Sequence, residues 1–194
     1  DLDQQTQLRV AKLLGRIPNR KLIMLDHCNK YMSGHFGTVY QDFENDVAVG
    51  LNDAIEDLKR VRCLNVVVLP TSRYGECALD SVRNFCHENG IPLKIMGAFP
   101  EYVEKGEVFL LFTGRLSNEL AEFDLILKKH GMEIGTDVGL ISYNDVPLNA
   151  VVLGGLTTIS TDFVKMGRIA ADMILSGKMI KVRNDFRMIR RKTF

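Results

Sequence analysis

The sequence predicts an α/β protein built on parallel sheets with helices on both faces. Short apolar runs rich in β-branched residues alternate along the chain with longer segments of helical period, which is the pattern of βαβ units. The helical segments end at glycine or proline signals, so the punctuation agrees with the periodicity. The chain has 194 residues, of which 46% are hydrophobic and 25% charged. That is enough to bury a core without disulfide staples.

The first helix is predicted over residues 3–14 and the first strand over residues 21–26. A long helix follows over residues 42–59, where Val47, Val49, Leu51, Ile55 and Leu58 supply an apolar stripe. Next come a strand at 64–70, a helix at 75–88 stopped by Asn89-Gly90 and Pro92, and strands at 93–96 and 107–113. A helix at 116–130 stops at His130-Gly131, and a strand occupies 138–143. Gly154-Gly155 reads as a loop needing positive φ ahead of a short strand at 157–160. The last helix, 163–175, closes at Ser176-Gly177, and residues 184–191 alternate apolar and charged like an edge strand.

Composition excludes several classes of function. A net charge of +1 gives no electrostatic reason for this stretch to grip nucleic acid or an anionic membrane, and no apolar run approaches the ~18 residues of a membrane span. Cys28, Cys63, Cys77 and Cys86 fit no zinc spacing, and a reducing cytoplasm is the simpler setting. Nucleotide cradles of the GxGxxG or GxxxxGK[ST] type are missing, as is a GxSxG elbow, so neither a cofactor nor an enzyme is indicated. Asp26, His27, Cys28 and His35 lack the spacing of a metal or nucleophile site. Asp26 echoes a phospho-acceptor aspartate, but no acidic pair or late lysine accompanies it.

In open α/β sheets ligands sit beyond the carboxyl ends of the strands. Those ends are polar here, with several neutral hydrogen-bonding groups among them: Asp26 to Asn29, Tyr40-Gln41-Asp42, Thr71 to Tyr74, Thr113-Gly114-Arg115 and Tyr143-Asn144-Asp145. Asp42 reads equally as a helix N-cap or as a carboxylate accepting two sugar hydroxyls. Arg187, Arg190 and Arg191 read as the solvated face of the edge strand.

The segments DVGLISYNDVPL (residues 137–148) and LTTISTDFVKMGRIAA (residues 156–171) resemble the effector domain of the lactose-repressor/galactose-repressor family. That family carries a strand ending in an aromatic and two acids or amides, a P-x-L-T-T crossover strand, and a helix opening D-x-x-x-x-G-x-x-A. Asp162 and Gly167 keep the last spacing, and weaker motifs extend the resemblance over nearly the whole chain. It implies a periplasmic-binding-protein-like fold of two subdomains, the N-terminal one incomplete: residues 1–38 in that subdomain, 39–155 in the C-terminal one, and 156–194 as the crossover back and closing strand. About two further βα units and a DNA-binding module would precede Asp1, and the crossover and closing strands resemble a group fused to a winged-helix module.

The resemblance also implies a function: a homodimeric cytoplasmic transcriptional regulator that senses a monosaccharide or related metabolite and reaches DNA through the preceding domain. Its ligand residues map onto Asp42, Asn144 and Thr161. Ser81 stands where the family has an arginine and Thr113-Gly114 where it has N-D, which leaves Thr113, Arg73 and Tyr74 as further candidates. A periplasmic sugar-binding protein of a transporter shares the fold, and an α/β enzyme would need a nucleophile or cofactor cradle.

Overall fold

The structure, a computed structural model, describes residues 3–27, 29–68, 76–112 and 118–194. The chain divides into two compact units. The first comprises Asp1–Asp42 and Thr161–Asp185, the second Phe43–Ser160 and Phe186–Phe194. The polypeptide therefore passes between them three times.

In the first unit, α1 (Gln4–Leu14) begins where the Asp3 carboxylate accepts the Thr6 N–H at 2.9 Å. Strands β1 (Ile23–Asp26), β2 (Gly37–Tyr40) and β8 (Lys181–Arg183) form a parallel sheet in the order β1-β2-β8, with Asp26 opposite Tyr40 and Tyr40 opposite Arg183. Helix α6 (Phe163–Ser176) covers it: Met166 and Met173 pack on the fully buried Val39. Asp162 caps this helix by accepting the Lys165 N–H, which explains the aspartate that opens the helix motif.

The second unit is built on a six-stranded sheet in the order β4-β3-β5-β6-β7-β9. Its strands are β3 (Cys63–Val67), β4 (Leu93–Met96), β5 (Glu107–Leu111), β6 (Gly139–Tyr143), β7 (Thr157–Thr161) and β9 (Phe186–Ile189). Alternation along each strand divides the core between two faces. Leu64, Val66, Val108, Leu110, Ile141 and Tyr143 meet α2 (Asp46–Asn52), α3 (Ile55–Leu58) and α4 (Glu76–Asn89), whereas Val67, Phe109, Leu111 and Leu140 meet α5 (Asn118–Lys129). Phe99 and Phe109 gather around Phe123 on the second face.

The expected helix over 42–59 is two helices. It starts at Asp46, with Asn45 as N-cap, and it breaks at Asp53 and Ala54. At the break the Asp53 carboxylate accepts the Met188 N–H of β9 at 2.8 Å, which occupies a main-chain donor of the sheet's edge strand. Strand β2 extends through Tyr40 between two parallel neighbours, so the first passage falls at 42/43 rather than the expected 38/39. Strand β7 stays paired with β6, and the second passage falls at 160/161 rather than 155/156. The predicted ends of the strands at 64–70 and 107–113 lie partly outside the described residues.

The threonines of the L-T-T motif join β7 to the chain end. The Thr157 N–H donates to Thr193 Oγ1 at 2.8 Å, the Thr157 hydroxyl accepts the Arg191 N–H at 2.9 Å, and Thr193 Oγ1 donates to the Leu140 carbonyl at 2.7 Å. Two glycines give a matched test of how closely that end is packed. Gly90 (φ +66) has nothing within 4 Å of an added Cβ, whereas at Gly135 (φ +86) the Cβ would lie 2.1 Å from the Lys192 carbonyl oxygen. Gly90→Ala should cost only the left-handed strain, about 1–2 kcal/mol. Gly135→Ala adds backbone overlap and should cost about 3 kcal/mol or more in urea unfolding; equal losses would refute this packing.

Candidate ligand-binding site

The carboxyl ends of β1, β2 and β8 gather a polar cluster in the first unit. Asp26, the last residue of β1, has φ 72, and the His27 N–H donates back to the Leu25 carbonyl at 2.8 Å. This is the signature of the rare γ-turn with positive φ. The turn sets the Asp26 carboxylate between two partners: Gln41 Nε2 donates to Oδ1, and His27 Nδ1 lies 2.9 Å from Oδ2. The bond to His27 is the main cause that lowers the Asp26 carboxyl below its ordinary value, with Gln41 adding to it against the effect of burial. The same bond raises the His27 imidazole above 6.5.

Asp42 lies beside this cluster, 3.5 Å from the Arg183 guanidinium at the end of β8. It is not a helix N-cap, because α2 begins four residues later. Asp46, in the first turn of α2, is the fully buried carboxylate of that segment.

Thr161 is buried and bonded on both sides. Its hydroxyl donates to the Asp185 carbonyl at 3.2 Å and accepts from Asn184 Nδ2 at 2.7 Å. The same Nδ2 donates to the Asp162 carbonyl at 2.9 Å, while the Asn184 N–H donates to the Tyr40 carbonyl at 2.8 Å. Asn184 thus ties together the first-unit ends of all three passages: Tyr40 before the first, Thr161 and Asp162 after the second, and itself before the third.

In the second unit, Asn144 follows β6 with φ 66. Its N–H donates to the Ile159 carbonyl at 2.9 Å and its carbonyl accepts from Asn149 Nδ2 at 3.3 Å. Next to it, Asp145 is gripped by Arg191 through two bonds, Nη1 to Oδ1 at 2.8 Å and Nη2 to Oδ2 at 2.9 Å, and accepts from the Thr158 hydroxyl at 3.0 Å. Burial by itself would raise the Asp145 carboxyl, but Arg191, Thr158 and Asn149 outweigh it and hold it low. Arg191 is therefore a half-buried anchor rather than part of a solvated face.

Of the residues singled out in the sequence, Asp42 and Thr161 fall in the first unit and Asn144 in the second. Arg73, Tyr74 and Thr113 lie outside the described residues. Asn184 and Gln41 were missed as candidates. Gln41 was visible only as a polar residue at a strand end, and Asn184 carried no signal, because β8 precedes it by a three-residue strand with no periodicity to read. No three metal-ligating side chains cluster among the described residues, and no described helix is long and apolar enough to cross a membrane.

Residues 125–190 match the periplasmic binding protein-like domain. No curated protein matches in sequence. Solved structures match over nearly the whole chain. The dimeric Lac repressor with an 11-residue C-terminal deletion superposes with a TM-score of 0.67 at 17% identity, over 99% of this chain and 74% of that one. A LacI-family transcriptional regulator from Enterococcus faecalis V583 with bound ribose gives 0.63 at 18% identity, over 98% and 73%. A periplasmic binding protein/LacI transcriptional regulator from Alkaliphilus metalliredigens QYMF complexed with D-xylulofuranose gives 0.60 at 13%, over 98% and 84%. The chain thus has the periplasmic-binding-protein-like fold of repressor effector domains.

The geometry of the site sets its response to pH and to loss of a charge. Stabilisation by the raised His27 is complete below 6.5 and is lost as pH rises through its folded pKa; that by the lowered Asp26 is complete above 3.8 and is lost as pH falls through its own. The pair therefore contributes most between those two values. In an NMR titration the His27 ring should titrate above 6.5 and move back toward it in Asp26→Asn; an unmoved midpoint would remove the pairing. Separately, Arg191→Met leaves the half-buried Asp145 without its cation and should cost about 1.5–3 kcal/mol in urea unfolding, an assignment that a loss within ~0.5 kcal/mol of zero would contradict.

Proposed function

We propose that this chain is the effector-sensing part of a DNA-binding transcriptional regulator whose ligand is a small sugar or related polyhydroxylated metabolite. The observation that carries the reading is the cluster at the carboxyl ends of β1, β2 and β8. There one carboxylate orients a neutral amide, and a second lies beside an arginine within two residues of a passage between units. Neutral amides and oriented carboxylates suit uncharged polyols, which present several donors and acceptors but no charge to neutralise. Structures of the same fold carry ribose and D-xylulofuranose in regulators of this type, which supports a sugar over a nucleotide or metal.

In this reading Asp42 is the first-unit residue that contacts the ligand, Asn144, Arg73, Tyr74 and Thr113 are further candidates, and Thr161 acts by holding Asn184. Ligand binding favours one conformational state of a cytoplasmic homodimer, by the roughly 1–3 kcal/mol typical of allosteric coupling. A DNA-binding domain elsewhere in the protein, of winged-helix or other type, reads that bias out. No catalytic step is assigned to the chain.

The test is a thermal-shift screen of the full-length protein against neutral monosaccharides, sugar phosphates, nucleosides and nicotinamide cofactors. A selective ligand at about 100 times its Kd should add ~2.7 kcal/mol of stability. A response to nucleotide cofactors alone would sink the sugar reading, and sugar binding without any effect on DNA binding would point to transport. Asp42→Ala should weaken the responding sugar by about 10–100-fold, the worth of a hydrogen bond to a charged group. Unchanged affinity would remove Asp42 from the site.

A further inference from the structure

Strand β8 is the last strand of its sheet, and the register shows which of its main-chain groups are occupied. The Thr38 N–H donates to the Ile180 carbonyl and the Asn184 N–H to the Tyr40 carbonyl, both at 2.8 Å. Main-chain groups alternate in direction along a strand, so the even-numbered residues of β8 bond toward β2, and the N–H and C=O of Lys181 point away from it. No strand among the described residues takes up that outer edge. An open edge is a template for one more strand unless something guards it.

The two faces of this edge differ in chemistry. On the α6 side, Val182 packs against the cluster of Val39, Met166 and Met173, and Ile180 is 48% exposed. Between strand and helix runs an open groove of about 340 Å³ with apolar walls of Ile169, Met173, Ile180 and Val182; the oppositely charged Asp172 and Lys178 also line it. On the other side stand Lys181 and Arg183, both exposed. Arg183 lies 3.5 Å from Asp42. Lys181 lies over the Tyr40 ring, 5.1 Å from its centroid, and no carboxylate is within ion-pair range of it among the described residues. Alternation along β8 thus gives the edge one apolar face and one basic face.

We propose that the outer edge of β8 is a docking site for an extended segment of a partner protein in which acidic and apolar residues alternate. The segment adds as a further strand. Its main chain bonds the N–H and C=O of Lys181, its apolar side chains enter the groove beside α6, and its carboxylates meet Lys181 and Arg183 on the other face. Charge selects this occupant. A second copy's β8 would set lysine and arginine against lysine and arginine, and like charges across a strand pair are destabilising. Lysine on an edge also turns away strands that carry no charge to meet it. The proposal goes beyond the sugar-sensing reading and stands or falls separately from it.

The experiment is fluorescence anisotropy with the full-length protein and a labelled, acetylated and amidated peptide of alternating glutamate and valine, about eight residues long so that it spans an edge strand. The peptide should bind, and its lysine-valine counterpart should bind at least ~10-fold more weakly. A peptide of the same composition with glutamates in one half and valines in the other should also lose affinity, because it cannot sort charged and apolar groups to opposite faces. Lys181→Pro removes the outward N–H and leaves the bonds to β2 in place, so it should weaken the alternating peptide by about 3–10-fold beyond Lys181→Gln, which removes the charge alone. Because a proline can also disturb β8, hydrogen exchange on the wild type gives an independent readout. Bound peptide should slow the Lys181 N–H and leave unchanged the Asn184 N–H, which Tyr40 already holds. Failure of the alternating peptide to bind, equal binding by the segregated peptide, or a Lys181 N–H that exchanges as fast with peptide bound would each overturn the proposal.

Discussion

Asn184 makes the hydrogen bonds on which the polar end of the first unit depends. Its main-chain N–H holds Tyr40, and its side-chain N–H groups hold Thr161 and the carbonyl of Asp162. Those residues belong to three stretches far apart in sequence, and each adjoins a passage of the chain from one unit to the other. A buried amide with two donors and one acceptor suits this position, since it bonds two elements at once and leaves an oxygen of fixed direction. The orientation of Gln41, set by Asp26 across the next strand pair, follows the same logic.

The second unit uses charge for the equivalent purpose. The Asp145 carboxylate, half-buried beside the end of β6, is accommodated because Arg191 meets it with two parallel bonds and Thr158 supplies a third. Bidentate geometry is what makes such a pair tolerable in a low-dielectric surrounding. The Arg191 Nη1 also donates to the Leu156 carbonyl, so the same guanidinium fastens the chain end to the start of the crossover strand. Around it the apolar core follows from alternation alone, with aromatic contacts from Phe112 to Tyr143 and from Tyr143 to Phe186 extending it toward the edge strand β9.

Much of the fold was legible because its signals are local. Helices α1, α4, α5 and α6 end within about two residues of the periodicity and punctuation read from the sequence, and Gly90, Gly131 and Gly177 take the positive φ expected of helix stops. Gly154 and Gly155 likewise occupy positive φ in a loop. Strand β4 coincides with its prediction. The failures share a cause. The break at Asp53 and the short strand β8 respond to partners more than 100 residues away or to a sheet neighbour, and neither leaves a periodic trace in a window of a dozen residues.

The candidate site divides along the same line. Residue types at strand ends were readable, and so was their polar character, because topology puts ligands beyond the carboxyl ends of parallel strands. The sequence by itself therefore determined the α/β class, most of the helices, the two faces of the larger sheet and the neighbourhood in which to look for a ligand. Tertiary structure alone decided which polar groups are spent on holding the fold. Thr161 and Arg191 are consumed by bonds to distant segments, and Asn184 and Gln41 acquire their direction from partners that only the folded chain brings within hydrogen-bond distance. A hydrogen bond depends on distance and angle rather than on residue type, so that division could not be read before the chain was folded.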